Sequence, residues 1–141
     1  MAFFFFGTLM DRDVLERVLD RPVPDAQLAP ARLSGYRRVR AVAASYPVLM
    51  ACEGGLVEGI VLRVATPRDE ARILHFEEEE YEARVLPVHL VHDGRPLDAR
   101  VFIALDSMGV TEEGWDLESW AREHKAAFLV RCDEWLRDCP E

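Results

Sequence analysis

The run Phe3-Phe4-Phe5-Phe6-Gly7-Thr8-Leu9-Met10 constrains this chain more than any other segment. Four consecutive aromatics leave no polar side to turn towards water. The run is too short for a bilayer span, which needs roughly 20 apolar residues. It also lacks the basic start and small-residue cleavage site of a secretory signal. A strand buried on both faces satisfies it, because aromatics suit strands and successive side chains point to opposite faces. Gly7 then permits a tight turn, or close approach of a ligand to bare backbone. Strand, glycine turn and helix start together present N–H groups able to bind a carboxylate or a carbonyl oxygen.

The chain has 141 residues, half of them hydrophobic and 30% charged. This reads as one globular domain over 1–141 with a hydrophobic core. Lys and Arg number 17 against 26 Asp and Glu, a formal net charge of −9. That balance argues against nucleic acid and against anionic membrane surfaces, which need a basic footprint. A small anionic substrate needs only local donors and remains compatible. Cys52, Cys132 and Cys139 form no CxxC pair and no metal-ligand spacing. An odd cysteine count without a secretory signal points to a reducing, cytoplasmic compartment. His75, His89, His92 and His124 show no ligand spacing either.

Val14, Leu15, Val18 and Leu19 form a helical stripe that Pro22 and Pro24 end. Leu28 to Arg40 reads as one strand or two short ones. Ser45 to Met50 is a second extended piece, since Tyr46 precedes a proline. Glu53-Gly54-Gly55 reads as a turn, and Leu56 to Val64 as a third strand in which Gly59 marks close backbone approach. Thr66-Pro67 opens a helix, with threonine as N-cap and proline in the first turn. Tyr81 to Val91 and Leu97 to Leu105 form a hairpin around Asp93-Gly94. A long amphipathic helix over about 116–136 closes the chain, with Leu117, Trp120, Ala121, His124, Phe128, Cys132 and Trp135 on one stripe. Trp115, Trp120 and Trp135 read as docking residues, and His124 as a packed histidine. The expected class is α+β: five or six strands curled towards a small mixed β-barrel, with two or three flanking helices.

Glu77-Glu78-Glu79-Glu80 is the second feature. Most acidic runs are solvated helix ends. At about 100° per residue, however, Glu77 falls near Ile73 and Leu74 on the apolar face, while Glu78 and Glu79 turn to water. Glu80 returns near that face and is the rival. A carboxylate among apolar groups has a raised pKa and suits proton transfer near neutral pH.

Five motifs occur in order: Phe6-Gly7-Thr8-Leu9, Leu33-Ser34-Gly35-Tyr36, Tyr46-Pro47, Val57-Glu58-Gly59, and Phe76-Glu77 followed by Tyr81 and Arg84. With them the chain resembles the γ-glutamyl cyclotransferase-like family, in its short AIG2-like and γ-glutamylamine cyclotransferase-like branch. The resemblance covers residues 3 to about 90. It implies a small mixed barrel with a pocket at one end. The Phe6-Gly7-Thr8-Leu9 loop, Tyr36 and Tyr81 would bind substrate there, with Glu77 as general acid/base. The implied substrate is a small γ-glutamyl compound. Its free α-amine closes on its own γ-carbonyl, giving 5-oxoproline and releasing an amine or amino acid. No metal or organic cofactor is implied, since nucleophile and electrophile are tethered. Three positions depart from the family pattern: Phe6 replaces the loop tyrosine, Glu78 replaces the glycine after the acid, and Leu74 or His75 stands where an Asp is common.

Two rival readings come from other classes. One is a non-catalytic small-molecule-binding module using the same pocket, suggested by Phe6 and Glu78. The other is an interaction domain using its acidic surface or last helix. Arg37 to Arg40 reads as a solvated strand edge, although Tyr36 and Arg37 could reach a substrate carboxylate. The leaving amine and the oligomeric state stay open.

Overall fold

The aromatic run forms β1 (Ala2–Phe5), and its two faces divide the protein into two cores. A computed structural model of the chain describes residues 2–41, 47–63, 65–77, 81–104, 110–114 and 117–137. The other strands are β2 (Leu28–Ala41), β3 (Pro47–Leu62), β4 (Tyr81–Leu90), β5 (Pro96–Ala104) and β6 (Val110–Gly114). The helices are α1 (Arg12–Leu19), α2 (Pro67–Glu77), α3 (Leu117–Glu123) and α4 (Lys125–Leu136).

β1 pairs antiparallel with β3 (Phe5 opposite Ile60) and parallel with β5 (Phe3 opposite Arg100). β5 pairs with β4, β4 with β2, and β2 with β3, which closes five strands into a barrel. β6 adds to β2 at Val39 and Ala41. Closure supplies hydrogen-bond partners that an open sheet edge would lack. Phe4 and Phe6 point into the barrel with Ala31, Leu33, Val57, Val61 and Val101. Phe3 and Phe5 point outwards into a second core with α1, Ile73 of α2, Trp120 of α3 and Phe128 of α4. Phe3 stacks on Phe5 and on Phe102, with ring centroids 6.1 and 6.0 Å apart. The alternation expected of a doubly buried strand is what the aromatic run adopts.

Local chemistry sets the helix starts. The Asp11 carboxylate accepts from the amides of Asp13 and Val14, capping α1. Thr66 and Asp69 form a reciprocal capping box. The Asp69 amide donates to Thr66 Oγ1 at 3.1 Å, and the Thr66 amide donates to Asp69 Oδ2 at 3.0 Å. The β4–β5 turn holds Gly94 at φ +72°, while the Arg95 amide donates to Asp93 Oδ1. At Gly59 an added Cβ would lie 2.3 Å from the Phe5 carbonyl oxygen and 2.6 Å from the Phe4 ring, so only glycine admits β1 this close.

Three expectations need correction. Glu53-Gly54-Gly55 is not a turn between strands, and β3 runs unbroken from Pro47 to Leu62 opposite one long β2. Gly35 (φ +87°) and Gly54 (φ +77°) instead absorb a register shift between Ser34 and Tyr36. This is a bulge, which bends paired strands without separating them. The last helix is two helices that meet at His124 (φ −127°, ψ −20°). The break leaves the His124 side chain half-exposed beside Glu123 rather than packed. It also lets Lys125 reach Asp11 and Asp13 at 2.9 and 2.8 Å, and Asp133 meet Arg17 at 2.6 Å. Trp120 and Phe128 still meet edge to face, and Cys132 is buried beside them. Trp115, Cys139 and the side chain of Trp135 lie outside the described residues. Finally, Leu74 is 48% exposed, so the buried row of α2 is Asp69, Arg72, Ile73 and the partly buried Phe76. Among the described residues no helix is long and apolar enough to cross a membrane.

Candidate active site at one end of the barrel

Strand direction brings the loop after β1 and the start of β4 to one barrel end. β1 and β5 run parallel, so the end of β1 at Phe6-Gly7 and the end of β5 at Ala104 point the same way. β4 begins at that end, with Tyr81 opposite Ala104. Four residue steps separate Glu77 from Tyr81, a reach of at most about 14 Å. α2 packs against α1 and touches β5 near its start. Glu70, early in the helix, lies 3.9 Å from Arg100. Position 77 follows one heptad later on nearly the same row, about 10.5 Å further along the axis. The backbone therefore carries Tyr81 and the glycine loop to the same end of the barrel, with Glu77 no more than about 14 Å along the chain from Tyr81. The side chains of Glu77 and Tyr81, and residues 78–80 with the rival Glu80, lie outside the described residues, as does Tyr46.

The loop itself is tightly held. Phe6 packs its ring inside the barrel, so this position faces the interior core rather than a solvent-filled hollow. Thr8 and Leu9 are buried as well, within a short 3-10 turn over Thr8–Met10. The Met10 amide donates to the Gly7 carbonyl at 2.9 Å, and the Asp11 amide donates to the Thr8 carbonyl at 3.0 Å. With these carbonyls engaged, the first amides of the turn are the ones a helix start leaves without an internal acceptor.

Beyond the bulge, β2 carries Tyr36, Arg37 and Arg38. Tyr36 is partly buried against the barrel-interior cluster, and its carbonyl oxygen would sit 2.4 Å from a Cβ on Gly55. Arg38 follows on the same strand face and reaches across. Its Nη1 donates to the Phe6 carbonyl at 2.8 Å, and its Nη2 donates to the Glu58 carbonyl at 2.9 Å. Arg38 is thus no solvated edge residue. Strand alternation held the clue, because a residue two beyond an inward Tyr36 shares its face. Arg37 instead donates to the Met50 sulfur at 3.3 Å. A cleft of about 430 Å³ lies against Met10 and Arg38 and extends past Arg32, Glu58 and Gly59 to Leu117. Among the described residues no group of three His, Cys, Asp or Glu side chains is placed to hold a metal ion.

The family model for "Gamma-glutamyl cyclotransferase, AIG2-like" matches residues 3–122. This chain belongs to that family. An AIG2-like relative from Arabidopsis thaliana, AIG2-like protein C, is 30% identical over 137 residues, covering 96% of this chain and 77% of the relative. A solved Arabidopsis thaliana protein superposes with a TM-score of 0.67 at 25% identity, covering 99% of this AIG2-like chain and 94% of the other. A solved γ-glutamyl cyclotransferase superposes with a TM-score of 0.56 at 13% identity over the whole chain and 89% of its own, a likeness of fold. The AIG2-like match extends beyond the five motifs, through β4 and β5 and into α3.

Proposed function

We propose that this protein is a γ-glutamyl cyclotransferase acting on a small γ-glutamyl amine or γ-glutamyl amino acid. Family membership supports the reaction class. The observation that supports the reading is strand register: Tyr81, four residues after Glu77, opens β4 opposite Ala104, at the barrel end where β1 leads into Gly7.

In the proposed reaction Glu77 accepts a proton from the substrate α-ammonium. The freed amine attacks the γ-carbonyl carbon, forming the five-membered ring and a tetrahedral oxyanion. Amides of the Gly7-Thr8-Leu9 turn stabilise that oxygen. As the ring closes, the attacking nitrogen gives up a second proton by way of Glu77; collapse breaks the original C–N bond, and both protons end on the departing nitrogen, which leaves protonated. The products are 5-oxoproline and a free amine, with no water consumed and no change of oxidation state. Holding the substrate folded so that its two ends meet supplies much of the acceleration, because ring closure is intramolecular.

The test is a panel of γ-glutamyl amines and amino acids read by mass spectrometry. Wild type should release 5-oxoproline from at least one of them. Glu77→Gln should lower kcat by about 10²–10⁴-fold while remaining folded. A fully active Glu77→Gln protein removes Glu77 from the mechanism. Saturable ligand binding with no product above an enzyme-free control would favour the non-catalytic binding module.

A further inference from the structure

Arg38 makes a pair of contacts that strand pairing does not require. One guanidinium spans two neighbouring strands, with one nitrogen on the Phe6 carbonyl at 2.8 Å and another on the Glu58 carbonyl at 2.9 Å. Phe6 is the residue just past β1, and Glu58 lies on the adjoining stretch of β3, next to Gly59. Arg38 itself stands beyond the bulge, on the part of β2 that pairs with Pro47–Ala51. The guanidinium therefore ties the far half of the β2–β3 ribbon to the loop after β1. A planar fork with several fixed donors is suited to bridging two carbonyl oxygens, which a compact ammonium matches poorly.

The peptide bond carries this hold into the loop. A trans peptide is planar, with C=O and N–H pointing in opposite directions. Fixing the Phe6 oxygen fixes the direction of the Gly7 N–H. The next two peptides are fixed in the same way, through the Gly7 carbonyl by the Met10 amide and the Thr8 carbonyl by the Asp11 amide. Those two restraints are local to the turn. The first comes from a side chain 32 positions away in sequence.

We infer that Arg38 is a positioning residue: by holding the Phe6 carbonyl it aims the Gly7 N–H at the substrate oxygen. The inference rests on the cyclotransferase reading and adds to it a residue that need not touch substrate. A donor that must swing into place gives up most of the benefit of an oxyanion site, since preorganisation is the source of that benefit.

The experiment compares wild type with Arg38→Met and Arg38→Lys on whichever γ-glutamyl compound wild type turns over. Arg38→Met should lower kcat by about 10–100-fold with KM little changed and the melting temperature within a few degrees. Arg38→Lys should recover only part of the loss. In parallel, the Gly7 ¹⁵N order parameter should fall from about 0.85, a rigid value, to below about 0.6 in Arg38→Met. A kcat within twofold of wild type in Arg38→Met, or full recovery in Arg38→Lys, would overturn the inference. If wild type releases no 5-oxoproline from any compound, the cyclotransferase reading fails. The order parameter then decides alone: a mobile Gly7 in Arg38→Met supports Arg38 as its anchor, and an unchanged Gly7 rejects it.

Discussion

Arg21 meets the buried carboxylate of Asp69 with two hydrogen bonds, Nε to Oδ1 at 3.1 Å and Nη2 to Oδ2 at 2.9 Å. The pair joins the loop after α1 to the first turn of α2. Burial alone would push the Asp69 carboxyl up. The bonds from Arg21 and Thr66 outweigh burial, and its pKa lies below the ordinary range. A carboxyl lowered on folding adds stability above its unfolded pKa of about 3.9, and that stability is lost as pH falls through the folded value.

Arg21→Met should therefore destabilise the protein at neutral pH by about 1–3 kcal/mol, because it strands a buried carboxylate. It should also flatten the acid limb of stability below about pH 4. Urea titrations between pH 2.5 and 7 check this. Parallel wild-type and variant curves across that range would show that the pair does not link folding to pH.

Gly59 leaves no room for a methyl group, since the obstructing atoms are a β1 carbonyl and a core ring rather than a flexible side-chain tip. Gly59→Ala should cost about 1–3 kcal/mol through overpacking and lower the melting temperature measured by calorimetry. A variant melting with wild type would show that β1 and β3 can separate there without penalty.

Cys132 is fully buried between α4 and the outer core, and burial pushes its thiol up to about 11. A thiol raised on folding favours the native state below the unfolded pKa of about 8.5, and that advantage is lost as pH rises through the folded value. Folded protein at pH 8 should resist alkylation at Cys132, whereas the partly exposed Cys52 should react. Peptide mapping after iodoacetamide treatment reads both sites. Cys132→Ala should also remove part of the alkaline destabilisation between about pH 9 and 11. Rapid labelling of native Cys132 would place it in a more open environment.

Lys125 bridges Asp11 and Asp13, and both contacts raise its pKa. Asp11 also caps α1. Asp11→Ala should cost about 1 kcal/mol through the lost cap. Lys125→Met should cost less than that, because partly exposed ion pairs contribute little. Equilibrium unfolding of the two variants orders them, and the reverse order would make the ion pair the stronger element.

Local chemistry written in the sequence determined several elements outright. Four aromatics admit only a strand covered on both faces. Thr66-Pro67 with Asp69 specifies a helix start, Asp93-Gly94 a hairpin, and Gly59 a close approach. Each depends on neighbours within a few residues, or on a side chain being absent. The order of Phe6-Gly7-Thr8-Leu9 and the later motifs carried the family in the same way. Tertiary structure alone decided the rest. Barrel closure made β2 and β3 one continuous ladder, turning an expected turn at Gly54 into a bulge. The last helix divides at His124, beside which Lys125 meets Asp11 and Asp13 at the start of α1. Register brought the loop after β1 and the start of β4 to one barrel end, and the path of β2 beyond Gly35 delivered Arg38 to the Phe6 carbonyl. These outcomes depend on strands and helices far apart in the chain competing for the same surfaces, and no local pattern encodes which of them wins.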